Sequence, residues 1–298
     1  AHVGRARRHR ARRIQRIGVS HVPIHLELPL TLADRISGED RPLIGLWACA
    51  GSAITAEIVA GSGCDCVLLD AEHSPNGLES LLAQLHAVAA YPVAPVVRPP
   101  FGDTVIIKQM LDLGAQNLLI PMVDTAEQAT EIVRAVRYPQ NGVRGVGSSL
   151  ARSSRWNRVE GYLGRADQTI SLTVQIESAT AVENVDAIAA VDGVDALFVG
   201  PADLAASMGH LGQQNHPEVV AGVLRAIEAG KAAGKPVGVN AFVAADAERY
   251  IDAGAAFVAV GADVAILARQ TEALVEHFAA VAGAGAGDAA QAAPRSSY

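Results

Sequence analysis

Cysteine is scarce in this 298-residue chain, which has only Cys49, Cys64 and Cys66. An odd number cannot form a closed disulfide framework. Cys64 and Cys66 stand closer than the usual zinc-pair spacing, so all three read as reduced, packed thiols. Aromatic residues make up 4% and charged residues 18% of the chain, against 50% hydrophobic. No apolar stretch reaches membrane-spanning length without Gly, Pro or charge, and the first residues lack the apolar core of a secretory signal. Glycine-rich nucleotide fingerprints, phosphate loops and nucleophile elbows are also missing. The expectation is a soluble, cytoplasmic protein with neither a membrane nor a nucleic acid as partner.

Charge is present but unevenly spread. Residues 1–28 carry seven arginines (Arg5, Arg7, Arg8, Arg10, Arg12, Arg13 and Arg16) against one acid, Glu27. Taking that +6 from the formal net charge of −7 leaves −13 for residues 29–298. An Arg-rich start invites a transit-peptide or nucleic-acid reading. The acidic body gives no support to nucleic-acid binding, and the plainer expectation for 1–28 is a basic, disordered extension. The Ala/Gly-rich end, 283–298, reads as a second tail. Residues 29–282 are left as one domain, with a mean hydropathy for the chain of +0.23 that suits a large core.

Within that domain, continuous apolar runs alternate with amphipathic segments. The runs are Ile44–Ala48, Val67–Asp70, Pro95–Arg98, Leu118–Met122, Leu172–Ile176, Ala196–Gly200, Pro236–Asn240 and Phe257–Gly261. Largely apolar, they read as parallel strands covered on both faces. The spacing predicts helices over Ala53–Ala60, Leu78–Ala89, Val105–Leu113, Ala126–Val136, Ala179–Ala190, Pro217–Ala233 and Ala244–Ala253, with a closing helix Val264–Val281. Eight such units predict an α/β fold, a closed (β/α)8 TIM barrel. Tyr138–Thr169 is too long for a simple connection and reads as a functional or interface loop.

Catalytic groups in such barrels sit at the C-terminal ends of the strands. Several runs end in ionisable residues there. Glu177 and Asp203 follow neighbouring strands, and two adjacent carboxylates repel unless a cation lies between them. With waters and a chelating substrate they suit Mg²⁺ or Mn²⁺; the alternative for each is a helix cap. Gly200, Pro201, Ala202 and Asp203 form a strand-to-helix turn whose free N–H groups favour an anion such as a substrate carboxylate. Arg98 ends an apolar strand, so it either pairs with Asp70 or Glu72 or stabilises an enolate oxygen. His73 follows Asp70 by three residues, within reach for a carboxylate to orient an imidazole. Gln175 shares a face with Glu177, and Trp47 can wall the pocket or fill the core. Lys108 lies within a helix and no lysine ends a strand, so a Schiff-base aldolase is disfavoured against a metal-dependent one.

The same residues sit in longer motifs: Gly45-Leu46-Trp47, Asp70-Ala71-Glu72-His73-Ser74-Pro75-Asn76, Pro95-Val96-Val97-Arg98-Pro99, Arg144-Gly145-Val146-Gly147, Val174-Gln175-Ile176-Glu177 and Val199-Gly200-Pro201-Ala202-Asp203-Leu204. Between about Leu32 and Phe278 the chain resembles the HpcH/HpaI family of metal-dependent (class II) pyruvate aldolases. The resemblance implies reversible cleavage of a 4-hydroxy-2-oxo acid, of the 4-hydroxy-2-oxo-heptane-1,7-dioate type, to pyruvate and an aldehyde such as succinic semialdehyde. Its sugar-acid relatives make 2-dehydro-3-deoxy glucarate or rhamnonate the alternative substrates. It further implies Glu177 and Asp203 as ligands of a divalent ion, Mg²⁺ or Mn²⁺ ahead of Co²⁺ or Zn²⁺. Arg98 would hold the pyruvyl oxygen, and His73, backed by Asp70, would move a proton, with His73 or a water on the ion as base. A homo-oligomer, typically a hexamer with exchanged last helices, is also implied. Ala71, Gly77 and Cys66 depart from the family's usual Gly, Asp and Trp. A CoA-ester lyase would need more basic residues after the eighth strand, and a non-catalytic organic-acid-binding barrel would not need the Asp70–His73 pair.

Overall fold

The computed structural model describes residues 24–281, so the expected C-terminal tail and most of the expected N-terminal extension lie outside the described residues. Eight strands form one closed barrel in sequence order. They are β1 (Leu43–Ala48), β2 (Cys66–Asp70), β3 (Ala94–Arg98), β4 (Asn117–Ile120), β5 (Ser171–Ile176), β6 (Ala196–Val199), β7 (Val237–Asn240) and β8 (Phe257–Ala262). All pair in parallel, and β8 closes on β1. The (β/α)8 barrel read from the alternation is therefore the fold. Every position of β2, β4, β5 and β6 is buried, including the polar Asn117, Ser171, Thr173 and Gln175, so these strands are covered on both faces.

Two apolar regions result. The larger lies between sheet and helices, and a smaller one fills the barrel interior. Inside, Trp47 meets Phe198 edge-on at 6.3 Å between centroids, and Phe198 meets Phe257 at 5.5 Å. With so few aromatics in the chain, stacking three of them here fills the upper interior beneath the strand ends. Gly238 makes room for them, because a Cβ there would overlap the Phe257 ring.

An unanticipated helix, Leu32–Gly38, belongs to this interior. Thr31 and Asp34 form its capping box. Leu32 is fully buried in the interior cluster, and its amide donates to Asn117 Oδ1 at 2.6 Å.

Three expected boundaries shift for local reasons. β4 stops at Ile120, before Met122 turns to φ +56°. The segment expected as one helix over Ala179–Ala190 breaks at Asn184, whose side-chain amide donates to Asp124 O at 2.9 Å. The long interval before β5 contains the short helix Tyr162–Arg165 and a small core of Val159, Tyr162 and Ala166. There the buried Arg144 guanidinium stacks 4.6 Å from the Tyr138 ring centroid and donates to Tyr162 Oη at 3.1 Å. All three cysteines are unpaired, and among the described residues no helix is long and apolar enough to cross a membrane.

Gly238→Ala is expected to destabilise the protein by about 1–3 kcal/mol through overpacking against Phe257. Urea unfolding measures this. Gly38→Ala, which meets open space, is expected to stay within about 0.5 kcal/mol of the wild type.

Candidate active site at the C-terminal ends of the strands

Parallel pairing brings residues that are distant in sequence to one rim. Asp70 and Arg98 end β2 and β3 directly opposite each other in the ladder. Glu177 follows β5, and Asp203 lies in the first turn of the helix Pro201–Ser207, which follows β6. A cavity of about 160 Å³ opens among them, lined by Trp47, Asp70, His73, Arg98, Gln175, Gly200, Ala202 and Asp203. Glu177 stands behind Gly200, where an added Cβ would come within 2.8 Å of both Glu177 Oε2 and Gln175 Nε2. Pro201 faces instead a neighbouring cavity of about 190 Å³, which shares Asn240 and Phe242 with the first.

Arg98 forms the ion pairs with Asp70 and Glu72 that the sequence allowed. It is 8% exposed, and its Nε donates to Asp70 Oδ1 at 2.8 Å. Its Nη1 lies 3.0 Å from Glu72 Oε2, and its guanidinium carbon sits 4.3 Å from the Trp47 ring centroid. Burial opposes its charge, but the bond from Asp70 and the charges of Asp70, Glu72 and Glu177 prevail and raise its pKa. Nη2 donates to none of the described residues, and Arg98 lines the cavity.

Asp70 does not contact the His73 ring. Its two carboxylate oxygens accept from the backbone amides of Glu72 and His73 at 3.1 and 3.2 Å, in addition to Arg98. The expected orientation of the imidazole by Asp70 is therefore corrected. A carboxylate three residues back reaches the amides of its own turn before it reaches the ring. The acid near the imidazole is Glu72, with Oε2 3.8 Å from His73 Nε2. Asn76 secures the turn by donating to Asp70 O at 2.5 Å and accepting from Gln84 Nε2 at 2.6 Å. The His73 side chain is 57% exposed at the cavity mouth.

Glu177 is 3% exposed. Its Oε1 accepts from the Met122 amide at 2.7 Å, and its Oε2 accepts from Gln175 Nε2. Burial, helped by the charges of Asp203 and Glu72, pushes its carboxyl up to about 7. Burial also raises Glu72, with Asp70 and Asp203 adding to the effect. Asp70 and Asp203 thus line the cavity, with Glu177 behind Gly200 and Glu72 against Arg98, the single guanidinium that faces them. The donors are all oxygen, each Glu177 oxygen keeps a further lone pair, and Gly200 leaves open the space that a side chain would fill. That set fits a hard divalent cation held by Glu177 and Asp203.

Glu72 and Asp263 contribute in ways the sequence reading does not anticipate, and Cys49 and Asn240 add to the frame. Glu72 was considered only as a partner for Arg98. Asp263, at the start of the last helix, accepts from the Cys49 amide at 2.7 Å and the Ala50 amide at 3.2 Å, fixing the turn after β1. Cys49 Sγ lies 3.9 Å from Asp70 Oδ2, and burial beside Asp70 pushes the thiol up to about 12, far from a reactive thiolate. Asn240 Oδ1 accepts from Trp47 Nε1 at 2.9 Å, linking the ends of β1 and β7.

Comparison with known proteins gives consistent matches over this region. The family model described as HpcH/HpaI aldolase/citrate lyase matches residues 43–269. A hydroxypyruvate/pyruvate aldolase of Pseudomonas aeruginosa is 54% identical over 242 residues, covering 81% of this chain and 90% of its own. A 4-hydroxy-2-oxo-heptane-1,7-dioate aldolase of Shigella sonnei is 51% identical over 242 residues, covering 81% of this chain and 92% of its own. Among solved structures, an HpcH/HpaI aldolase/citrate lyase family protein of Burkholderia cenocepacia J2315 matches with a TM-score of 0.80 and 41% identity, over 83% of this chain and 98% of that one.

Glu177 generates a pH signature. Its ordinary value of 4.5 is raised to about 7 in the fold. Between those values the folded carboxyl holds a proton that the unfolded chain has released. Stability of the metal-free protein is therefore expected to fall as pH rises across that window and to level off above it. Melting temperature against pH after chelation checks this, and Glu177→Gln should flatten the window.

Proposed function

The chain belongs to the HpcH/HpaI aldolase/citrate lyase family, and we propose from that premise that it cleaves 4-hydroxy-2-oxo acids reversibly to pyruvate and an aldehyde. It is a carbon–carbon lyase of the aldolase type. The observation that carries the finer reading is the convergence of Arg98, Gln175, Ala202 and Asp203 on one small cavity backed by Glu177.

In this reading Glu177 and Asp203 hold a divalent ion, Mg²⁺ or Mn²⁺. When bound, the ion supplies Lewis-acid polarisation of the 2-oxo acid. Arg98 directs its free Nη2 edge at the C2 oxygen, where negative charge grows as the C3–C4 bond breaks. The substrate carboxylate meets the Ala202 and Asp203 amides, which have no acceptor among the described residues. The C4 hydroxyl proton passes to a base, His73 or a water molecule, as C4 becomes the aldehyde carbon, and the bonding electron pair passes to C3 as the enolate. Protonation at C3 then releases pyruvate. His73 at the mouth, with Glu72 beside it, is the side chain placed to exchange that proton with solvent.

The aldehyde end leaves through the mouth flanked by Asn240 and Phe242, beside the second cavity. This room supports several acceptors, including succinic semialdehyde and the hydroxylated aldehydes derived from sugar acids. Exposed Leu267, Leu274, Val275 and Phe278 on the last helix support a homo-oligomer, read as a hexamer with that helix exchanged between subunits.

Exchange of pyruvate C3 protons, followed by NMR, is expected to require a divalent ion, to stop on chelation, and to be lost in a Glu177→Ala, Asp203→Ala double variant. Arg98→Ala should lose about 3 kcal/mol or more of transition-state stabilisation, roughly a hundredfold in kcat/KM. Turnover within about threefold of wild type would make Arg98 structural only.

A panel of aldehydes with pyruvate or hydroxypyruvate as donor tests the substrate class. Several aldehydes should react, with discrimination of about 1–3 kcal/mol per methylene. Acetaldehyde as donor should fail because it lacks the carboxylate, and its equal turnover would overturn the reading.

A further inference from the structure

Away from this cavity, the turn after the helix Pro201–Ser207 gathers a different set of donors. One ligand atom each from His210, His216 and Glu218 lies within 4.8 Å of the other two. We propose that these three residues form a second metal site, selective for a borderline first-row ion such as Zn²⁺, Co²⁺ or Ni²⁺.

The geometry is set mainly by the backbone. Gly209 and Gly212, at φ +83° and +76°, take the left-handed turns that bring the chain back on itself. The His210 amide donates to Ala205 O at 2.7 Å, Gln213 N to His210 O at 2.8 Å and His216 N to Gln213 O at 2.9 Å. The two imidazoles consequently stack, 3.5 Å between centroids and 17° between planes. Glu218 enters from the first turn of the helix Pro217–Ala232, with Oε2 2.9 Å from His210 Nε2. Ligand atoms about 2.0–2.1 Å from a tetrahedral ion stand about 3.3 Å apart, so this pair needs to open by only a few tenths of an ångström.

Donor chemistry separates this site from the first. Two imidazoles and one carboxylate, with water in the fourth position, suit Zn²⁺, Co²⁺ or Ni²⁺, whereas Mg²⁺ prefers the all-oxygen set. Each imidazole nitrogen offers its lone pair in the ring plane, so a shared ion requires the two rings to turn out of their stack toward Glu218. The same turn supplies Gly212, Gln213, Gln214 and Asn215 to the wall of the second cavity. An ion there would brace that wall and join the helix carrying Asp203 to Pro217–Ala232.

The test is a Co²⁺ titration of the untagged full chain in excess Mg²⁺, read by visible absorption. It is independent of any activity assay. Intense four-coordinate bands are expected, saturating at one equivalent per chain. His210→Gln and His216→Asn, the latter retaining a helix-capping group, should each weaken Co²⁺ binding at least tenfold. Zn²⁺ should raise the melting temperature of the wild type but not of either variant. Absence of the bands in wild type, their persistence at unchanged affinity in His210→Gln, or their loss only in Glu177→Gln would overturn the proposal.

Discussion

A buried guanidinium has to be neutralised, and much of this rim is arranged around that requirement. Arg98 ends β3 at 8% exposure, so Asp70 and Glu72 must lie against it. Removing one such partner leaves an uncompensated charge and typically costs about 3–5 kcal/mol. Asp70 can serve Arg98 only because parallel pairing sets the two residues opposite each other. With its remaining capacity Asp70 holds the Glu72 and His73 amides, so the ion pair also shapes the turn that carries the histidine. On its other side Arg98 lies over Trp47, the top of the aromatic column in the barrel. The core and the reactive rim therefore share a residue, and a shift in either is transmitted to the other.

Electrostatics underlies the proposal of a cation at this site. Asp70, Glu72, Glu177 and Asp203 confront a single arginine, and burial denies two of these acids the solvent that would stabilise their charge. An anionic 2-oxo acid entering such a field needs positive charge close at hand. Arg98 supplies part of it at one end of the cavity. At the other end the oxygen donors of Glu177 and Asp203 make the case for a metal. The two proposed metal sites differ in the same physical terms, since one offers only hard oxygen and the other mainly imidazole nitrogen.

Much of this was legible from the chain itself. All eight strands fall within two residues of the expected runs at either end, because short, mainly aliphatic runs stand out between longer amphipathic segments. Arg98, Glu177 and Asp203 stood out because an ionisable residue at the end of an apolar run has few explanations. The Leu32–Gly38 helix was missed because its burial depends on Asn117, which lies 85 residues away. Asp263 was missed because an acid opening a helix reads as an ordinary terminal charge, while its bonds go to the turn after β1. The partner of the His73 ring was misassigned for a geometric reason. Spacing along the chain reports which groups can be near, but backbone amides compete for the same carboxylate.

Met122 shows that a contribution to a site can be independent of the side chain. Its amide orients Glu177 while its side chain is 53% exposed, and the residue sits at φ +56°. Substitution here is thus limited by backbone shape more than by side-chain chemistry. Glycine or asparagine can inherit the role, whereas valine or isoleucine is excluded by backbone sterics alone.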